Sequence, residues 1–338
     1  MKLLTAGLSK TFAIVLAVVV IVAIAAVVWY FTAQPTVTTF KMKIFTGGTG
    51  GVYYPIGNAL AELLNKYSKG RIEASAQSSG ASVANVKALE AGDAHLIFVQ
   101  NDIAYYGYKG IYMFEGSPAK SIRGVAVLYP EIIQIIVKAD SGIKSIYDLA
   151  GKRVAVGAAG SGTAVEAELI LKAAGVWDKI TVQNLDFTQA AEAIKLGQVD
   201  AAFVVAGIPT AAVTQLAATT PVNLVEIPDD IISKLVSQGY RFFVPIVVPK
   251  ETYSGMTSDV KTAAVMAMLA VRSDVPDDIV YTLLDIMFSH LSELQQAHAR
   301  ASAIALNKAL NGMSIPLHPG AVKYYQEKGI TVPSELKP

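Results

Sequence analysis

The chain has 338 residues, with 28 Lys and Arg against 27 Asp and Glu, four histidines and no cysteine. A formal charge of +1 excludes a basic nucleic-acid binder, and the missing thiol excludes a disulfide framework and a cysteine-linked lipid. His95, His290, His298 and His318 form no His-x-x-x-His pair, which argues against a transition-metal centre.

Residues 12–31 hold no charged, amide, hydroxyl or carboxyl side chain except the Tyr30 phenol. Such a run, at roughly 1.5 Å per helical residue, reaches about 30 Å, the hydrocarbon thickness of a bilayer. Lys2 and Lys10 precede it, so residues 1–11 are expected in the cytoplasm and the rest outside. A cleaved secretory signal is the competing reading. The run exceeds the roughly 7–15 apolar residues of a signal core, and cleavage after Ala33 would place Phe31 where a small residue is needed. Trp29 and Tyr30 suit an interface. The expectation is an uncleaved signal-anchor helix over 12–31 in the lipid bilayer, then a polar tether over 32–40.

The remaining chain, about 300 residues, exceeds one ordinary core and predicts two lobes. KMKIFT at 41–46 predicts a strand, GGTGG at 47–51 a loop, and Ile56, Ala59, Leu60, Leu63, Leu64 and Tyr67 a helix. KRVAV at 152–156 predicts another strand, GAAGSG at 157–162 a loop, and a helix begins at Thr163 with Gly175 as its stop. LEAGDAHLIFV (89–99) and IKLGQVDAAFV (194–204) align on Gly92 and Gly197, each a helix end, a glycine and a buried strand. The repeated strand–helix order predicts parallel sheets with helices on both faces. Residues 140–150 predict a surface turn and a short helix, and 244–249 a strand between lobes. From Asp259 onward the Val265, Met268, Leu269 spacing predicts mostly helix, and Pro276-Asp277-Asp278 a helix start.

Both halves thus open as strand, glycine-rich loop, helix. Bare N–H groups at a helix N-terminus carry a partial positive charge, and glycine lets a ligand approach them. A P-loop needs Gly-Lys-Ser/Thr, but Thr163 follows Gly162 directly; a dinucleotide fingerprint fails because Tyr53 stands at the third glycine position. A small carboxylate fits better, with hydroxyls of Ser161 and Thr163 adding hydrogen bonds. No Gly-x-Ser-x-Gly elbow occurs, and Asp93, Asp102, Glu131 and Asp200 show no paired spacing with a histidine. His95 is expected in the core. No enzyme activity, no cofactor and no metal are expected.

GGTGGVYYPIGNAL (47–60) resembles the TAXI family of TRAP transporter solute receptors. Ser82-Val-Ala-Asn85 with Leu89, Gly92 and Val99-Gln-Asn-Asp102 is similar to a second signature, GAAGSGT (157–163) to a second-lobe loop, and IPLHPGAVKYYQEKG (315–329) to a C-terminal one. The resemblance covers about residues 42–330. It implies a two-lobed, type II-like periplasmic-binding-protein fold with the ligand in the interlobe cleft. Lobe I would comprise 40–128 and 241–338, and lobe II 129–240. It implies a monomeric extracytoplasmic receptor that captures a glutamate-like carboxylate and hands it to a fused TRAP permease.

Carried over by residue, Thr49 and Gly50 would offer first-lobe contacts, and Tyr53, or Tyr54 in its place, would cover the ligand's carbon chain. Ser82 and Asn85 would be polar contacts or helix caps. Gln100 and Asp102 would take an ammonium group, and Glu131 and Gln134 would stand at the entry to the second lobe. Gly160, Ser161, Gly162 and Thr163 would bind the carboxylate, and Val205, Ala206 and Gly207 would line the far wall. His318 and Pro319 would be structural or a docking feature. The alternatives are a receptor for an ABC transporter, a surface-anchored enzyme acting on small organic acids, and a sensory ectodomain.

Overall fold

The computed structural model describes residues 10–32 and 38–338. The expectations for residues 1–9 and for 33–37 of the tether lie outside the described residues. Helix α1 (Lys10–Thr32) forms where the apolar run predicts helix, and Ile14, Val15, Leu16, Ile21 and Val22 along it are exposed. The side chains of Lys10, Thr11, Ala13, Val27, Val28, Tyr30, Phe31 and Thr32 are not described. Among the described residues no helix is long and apolar enough to cross a membrane, so the anchor remains a reading of the sequence.

Residues 40–338 form one compact unit. Its elements run β1 (Phe40–Phe45), α2 (Tyr53–Tyr67), β2 (Ile72–Gln77), α3 (Ser82–Ala91), β3 (Leu96–Gln100), α4 (Asn101–Lys109) and β4 (Ile122–Lys138). They continue with β5 (Arg153–Ala155), α5 (Gly162–Ala173), β6 (Thr181–Gln183), α6 (Phe187–Lys195), β7 (Ala201–Ala206), α7 (Ala211–Ala217), β8 (Val222–Val225), α8 (Asp229–Ser237) and β9 (Val244–Val248). Strand β10 (Val260–Arg272) precedes α9 (Asp277–Ser289), α10 (Leu291–Ala297) and α11 (Pro319–Glu327).

The strand order is β2-β1-β3-β10-β4-β7-β5-β6, with β8 added on β4 and β9 on β10. Strands β1, β2 and β3 are mutually parallel and β10 closes them antiparallel. Strands β5, β6 and β7 repeat that arrangement, with β4 as the antiparallel closer. The fold is therefore α/β and two-lobed, one plan used twice. Instead of two separate sheets, the halves share two long strands. The first part of β4, Ile122 to Ile132, pairs with β10, and Ile132 to Ile136 pairs with β7. Strand β10 likewise pairs with β9 at one end and β3 at the other.

Local sequence accounts for most elements. In α2 the buried Ile56, Leu60, Leu63 and Leu64 recur at helical spacing on the face against the sheet. The aligned glycines 92 and 197 both have left-handed backbone, φ 86° and 68°, which glycine adopts without steric cost. Behind them Phe98 and Phe203 are fully buried in matching inner strands.

The expectation of helix from Asp259 is corrected. Val265, Met268 and Leu269 lie in β10, which is buried on both faces between β3 and β4. A strand covered on both sides reads as an unbroken apolar run, and such a run satisfies the 3–4 spacing by accident. The helix start at Pro276 does hold, with Asp277 and Asp278 in the first turn of α9. His95 is only half-buried: it precedes β3, accepts a 3.1 Å hydrogen bond from the Lys43 N–H on Nδ1 and meets Phe40 edge-on.

Candidate solute-binding cleft

A cavity of about 510 Å³ opens at the carboxyl ends of the parallel strands of both halves, the end at which open α/β sheets receive ligands. The loop after β1 gives Gly47, Gly48, Thr49 and Gly51; that after β2 gives Ser78, Ser79, Gly80 and Ala81. The second half gives Ala158 and Ala159 after β5, Asn184 and Asp186 after β6, and Val205 and Ala206 at the end of β7. Gln100 from β3 and Glu131 from the shared strand β4 complete the wall.

Four helices begin at this cavity: Tyr53 opens α2, Ser82 opens α3, Gly162 and Thr163 open α5, and Phe187 opens α6. Each N-terminus presents partial positive charge, so their convergence offers N–H donors to the cavity without a basic side chain. The lining contains no Lys, Arg or His. In the second half the helices cap themselves. The Ser161 Oγ accepts from the Ala164 N–H at 3.1 Å, and Asp186 and Gln189 form a reciprocal capping box at 2.9 and 3.0 Å. In the first half Val52 and Ala81 stand at the cap positions, and neither supplies a side-chain cap. Ala81 holds φ 68° and ψ −151°, a conformation costly for a residue with a Cβ.

Thr49, Tyr53, Ser82, Gln100, Glu131, Ser161, Gly162, Thr163, Val205 and Ala206 all line the cavity. Tyr53 lines it and Tyr54 does not. The Tyr53 hydroxyl donates to Glu131 Oε2 at 2.8 Å, and its ring packs against Phe98. The remaining expected residues lie outside the lining. Gly50 and Gly160 join the halves: the Ala212 N–H donates to the Gly50 carbonyl at 3.3 Å and the Ala84 N–H to the Gly160 carbonyl at 3.0 Å. Asn85 ties two strand ends together, its Nδ2 donating to the carbonyls of Thr46 and Phe98 at 2.6 and 2.8 Å. Ser82 also accepts from the Gln100 N–H at 3.1 Å. Gln134 accepts from the Tyr253 hydroxyl at 2.6 Å and donates to Thr210 at 3.1 Å. Gly207 packs against Arg300, whose Cγ would lie 2.8 Å from an added Cβ. Asp102 lies fully buried at the start of α4.

His318 caps α11, its Nδ1 accepting from the Gly320 N–H at 3.2 Å, and Pro319 occupies the first turn. Burial holds the imidazole below its ordinary pKa.

Behind the lining lies an acidic cluster. Burial raises the Glu131 carboxyl to about 8, with the Tyr53 hydrogen bond acting against the shift and Asp102 adding to it. Burial raises Asp102 to about 7. The N–H groups of Asp102 and Ile103 offset part of that rise, yet neither carboxylate oxygen is in hydrogen-bond geometry with a partner. Glu166 on α5 is also raised by burial and then by Asp102 and Glu131. The Gln100 Nε2 donates to Glu166 Oε2 at 3.3 Å. No group of three or more His, Cys, Asp or Glu able to hold a metal occurs among the described residues.

Sequence reasoning missed Glu166 and the opening of α6. A signal existed for each: Glu166 shares an inward 3–4 stripe with Leu169 and Ile170, and Asp186-x-x-Gln189 is a capping-box pattern.

Residues 44–329 match the model of the NMT1-like family, and the chain belongs to that family. A protein titled "Structure of a periplasmic transporter" aligns with a TM-score of 0.52 at 13% identity, over 85% of this chain and 92% of that one. The alkanesulfonate-binding protein SsuA from Xanthomonas axonopodis pv. citri, bound to MOPS, aligns at 0.44 and 16% identity, over 86% and 80%. A putative L-cystine ABC transporter protein from Listeria monocytogenes aligns at 0.47 and 16%, over 78% and 98%. At these identities the likeness is one of fold.

Proposed function

We propose that this NMT1-like protein is the extracytoplasmic solute-binding component of a membrane transporter, binding a small carboxylate between its two lobes. The convergence of four helix N-termini on one cavity carries the reading. Lobe I is assigned to 40–128 and 241–338 and lobe II to 129–240, so the chain crosses between them on β4 and near β9 and β10. Hydrogen bonds from Ala84 to Gly160 and from Ala212 to Gly50 hold the two halves together, and parting of the lobes about the shared strands would admit a solute.

For the transporter, proteins named as ABC components stand among the structural neighbours, whereas the TRAP reading rests on the sequence motifs. We therefore place an ABC importer first and a TRAP permease second. Co-expression of the chain with each candidate permease, followed by solute uptake in vesicles, separates them: ATP-dependent uptake supports the first, ion-gradient-dependent uptake the second.

The apolar run at 12–31 supports attachment to the cell membrane as an anchor. Carbonate-washed membranes should retain the full chain, and a mature N-terminus near Gln34 would contradict the anchor. The binding reading is tested by a thermal-shift screen of the full chain against amino acids, mono- and dicarboxylates. A solute at about 100 times its Kd adds roughly 2.7 kcal/mol of stability. No stabilisation by any of them would overturn it.

A further inference from the structure

The two halves also meet behind the cavity lining, and the contact there is built on acids. A Cβ added at Gly162, in the first turn of α5, would meet the Gln100 side chain and Ile103 of α4. One turn further along α5, Glu166 accepts from the Gln100 Nε2 at 3.3 Å, and beyond it Glu168 faces Tyr112 of the first half. Asp102, in the first turn of α4, lies close enough to act on Glu166. Both carboxyls are fully buried. Helix α5 of the second half and α4 of the first are thus pressed together over two acids.

No counter-charge accompanies them. The pair is faced by Glu131 from β4 and Tyr106 from α4, and behind these by Tyr53 from α2, Tyr129 from β4, Tyr112 and Tyr240. None of these is basic, and Arg300 acts on the Tyr129 phenol. Among the described residues no Lys, Arg or His forms an ion pair with Asp102, Glu131 or Glu166. Both Asp102 oxygens and Glu166 Oε1 also lack a hydrogen-bond partner among the described residues. A buried carboxylate ion without donor or counter-charge is strongly disfavoured, and a second one facing it adds repulsion.

Resting on the two-lobed solute-binding reading above, we propose that Asp102 and Glu166 form a proton-operated latch: the halves hold together while both carboxyls are protonated and part as they ionise. Parting lets water reach both groups, so in the open form they titrate near pH 4 as ordinary carboxyls do. The closed form holds the protons more tightly, so closure takes up protons and is favoured at low pH. Its advantage falls as pH rises from about 4 and levels off above about 8, once Asp102 and then Glu131 on the shared strand have ionised in the closed form too. Neither Asp102 nor Glu166 lines the cavity. The proton is then a second ligand of the closed form, bound apart from the solute.

The test uses the full chain without solute, spin-labelled at Glu62→Cys on α2 and Leu196→Cys after α6, exposed positions in opposite halves. Pulsed dipolar spectroscopy at about pH 5.5 and about pH 7.5 reads the populations of short and long distances. Their ratio should fall at least about 10-fold on raising the pH, the limit being about tenfold per pH unit for each proton taken up. Asp102→Asn combined with Glu166→Gln should keep the short distance at both pH values, and Glu166→Gln alone should reduce the change. Both variants should melt no lower than the unsubstituted chain at about pH 7.5, since neutral amides replace carboxyls that resist burial as ions. A pH-independent distribution that the screened amino acids and carboxylates still shorten would overturn the latch and leave the solute-binding reading standing. The same pH response in the doubly substituted chain, or longer distances on acidification, would also overturn it. A distribution that neither pH nor those solutes change would overturn both.

Discussion

In the first half of the protein, α2 and α3 begin under Val52 and Ala81, which offer no capping side chain; in the second, α5 and α6 begin under Ser161 and Asp186, which do. The strand order around them is the same. Identical topology therefore sets four helix N-termini at one cavity, and the caps decide how many N–H groups each half keeps for a guest. The first half keeps more and holds a strained alanine at the opening of α3. The second half is self-sufficient and contributes close packing: Gly162 abuts the Gln100 side chain, and a Cβ added at Gly50 of the first half would lie 2.5 Å from Thr188 Oγ1.

The largest expected effect comes from breaking that packing. In Gly162→Val the new side chain would overlap the Gln100 amide and block approach to the α5 N-terminus. Solute affinity measured by calorimetry should fall by at least about 100-fold, the scale of a few kcal/mol of overpacking. Retained affinity would show that the second half does not reach the solute.

A pH effect follows on the first-half side. The folded protein holds Asp102 and Glu131 protonated to about 7 and about 8, whereas the unfolded chain releases those protons near pH 4. Folding therefore favours protonation here, and stability falls as pH rises through that window. Asp102→Asn should flatten the decline by an amount on the order of 4 kcal/mol in denaturant melts. A pH-independent stability in the unsubstituted chain would contradict the buried-acid assignment.

Tyr53→Phe removes the donor to Glu131 and should cost about 1–3 kcal/mol of stability, with the loss smallest at low pH, where the carboxyl is neutral. Ser161→Ala sharpens the comparison most gently. It removes a cap, so about 1 kcal/mol of stability should go, while affinity changes by no more than about 0.5–1.5 kcal/mol. If Ser161→Ala abolished binding, the self-capped helix would be the principal anion holder and the comparison would be reversed.

Much of this was legible in the sequence because it is local. The glycine loops at 47–51 and 157–162, the helix stripe of α2 and the aligned glycines 92 and 197 all act within a few residues. What was not legible is long-range. Strand β10 read as helix because burial on both faces erases alternation. Asn85 and Gln134 read as ligand contacts because a polar side chain at a strand or helix end looks the same whether it meets a solute or, as here, backbone carbonyls and Tyr253. Glu166 reaches the cluster only through a long-range contact, with Gln100 at the end of β3.

Closure of the two halves on a solute is the centre of the account, and the absence of cysteine makes it directly measurable. Glu62→Cys on α2 and Leu196→Cys after α6 place spin labels at exposed positions in opposite halves. Pulsed dipolar spectroscopy should give a broad, long distance distribution without solute and a shorter, narrower one once a solute from the thermal screen is added. An unchanged distribution at saturating solute would contradict a cleft that opens and closes about β4 and β10.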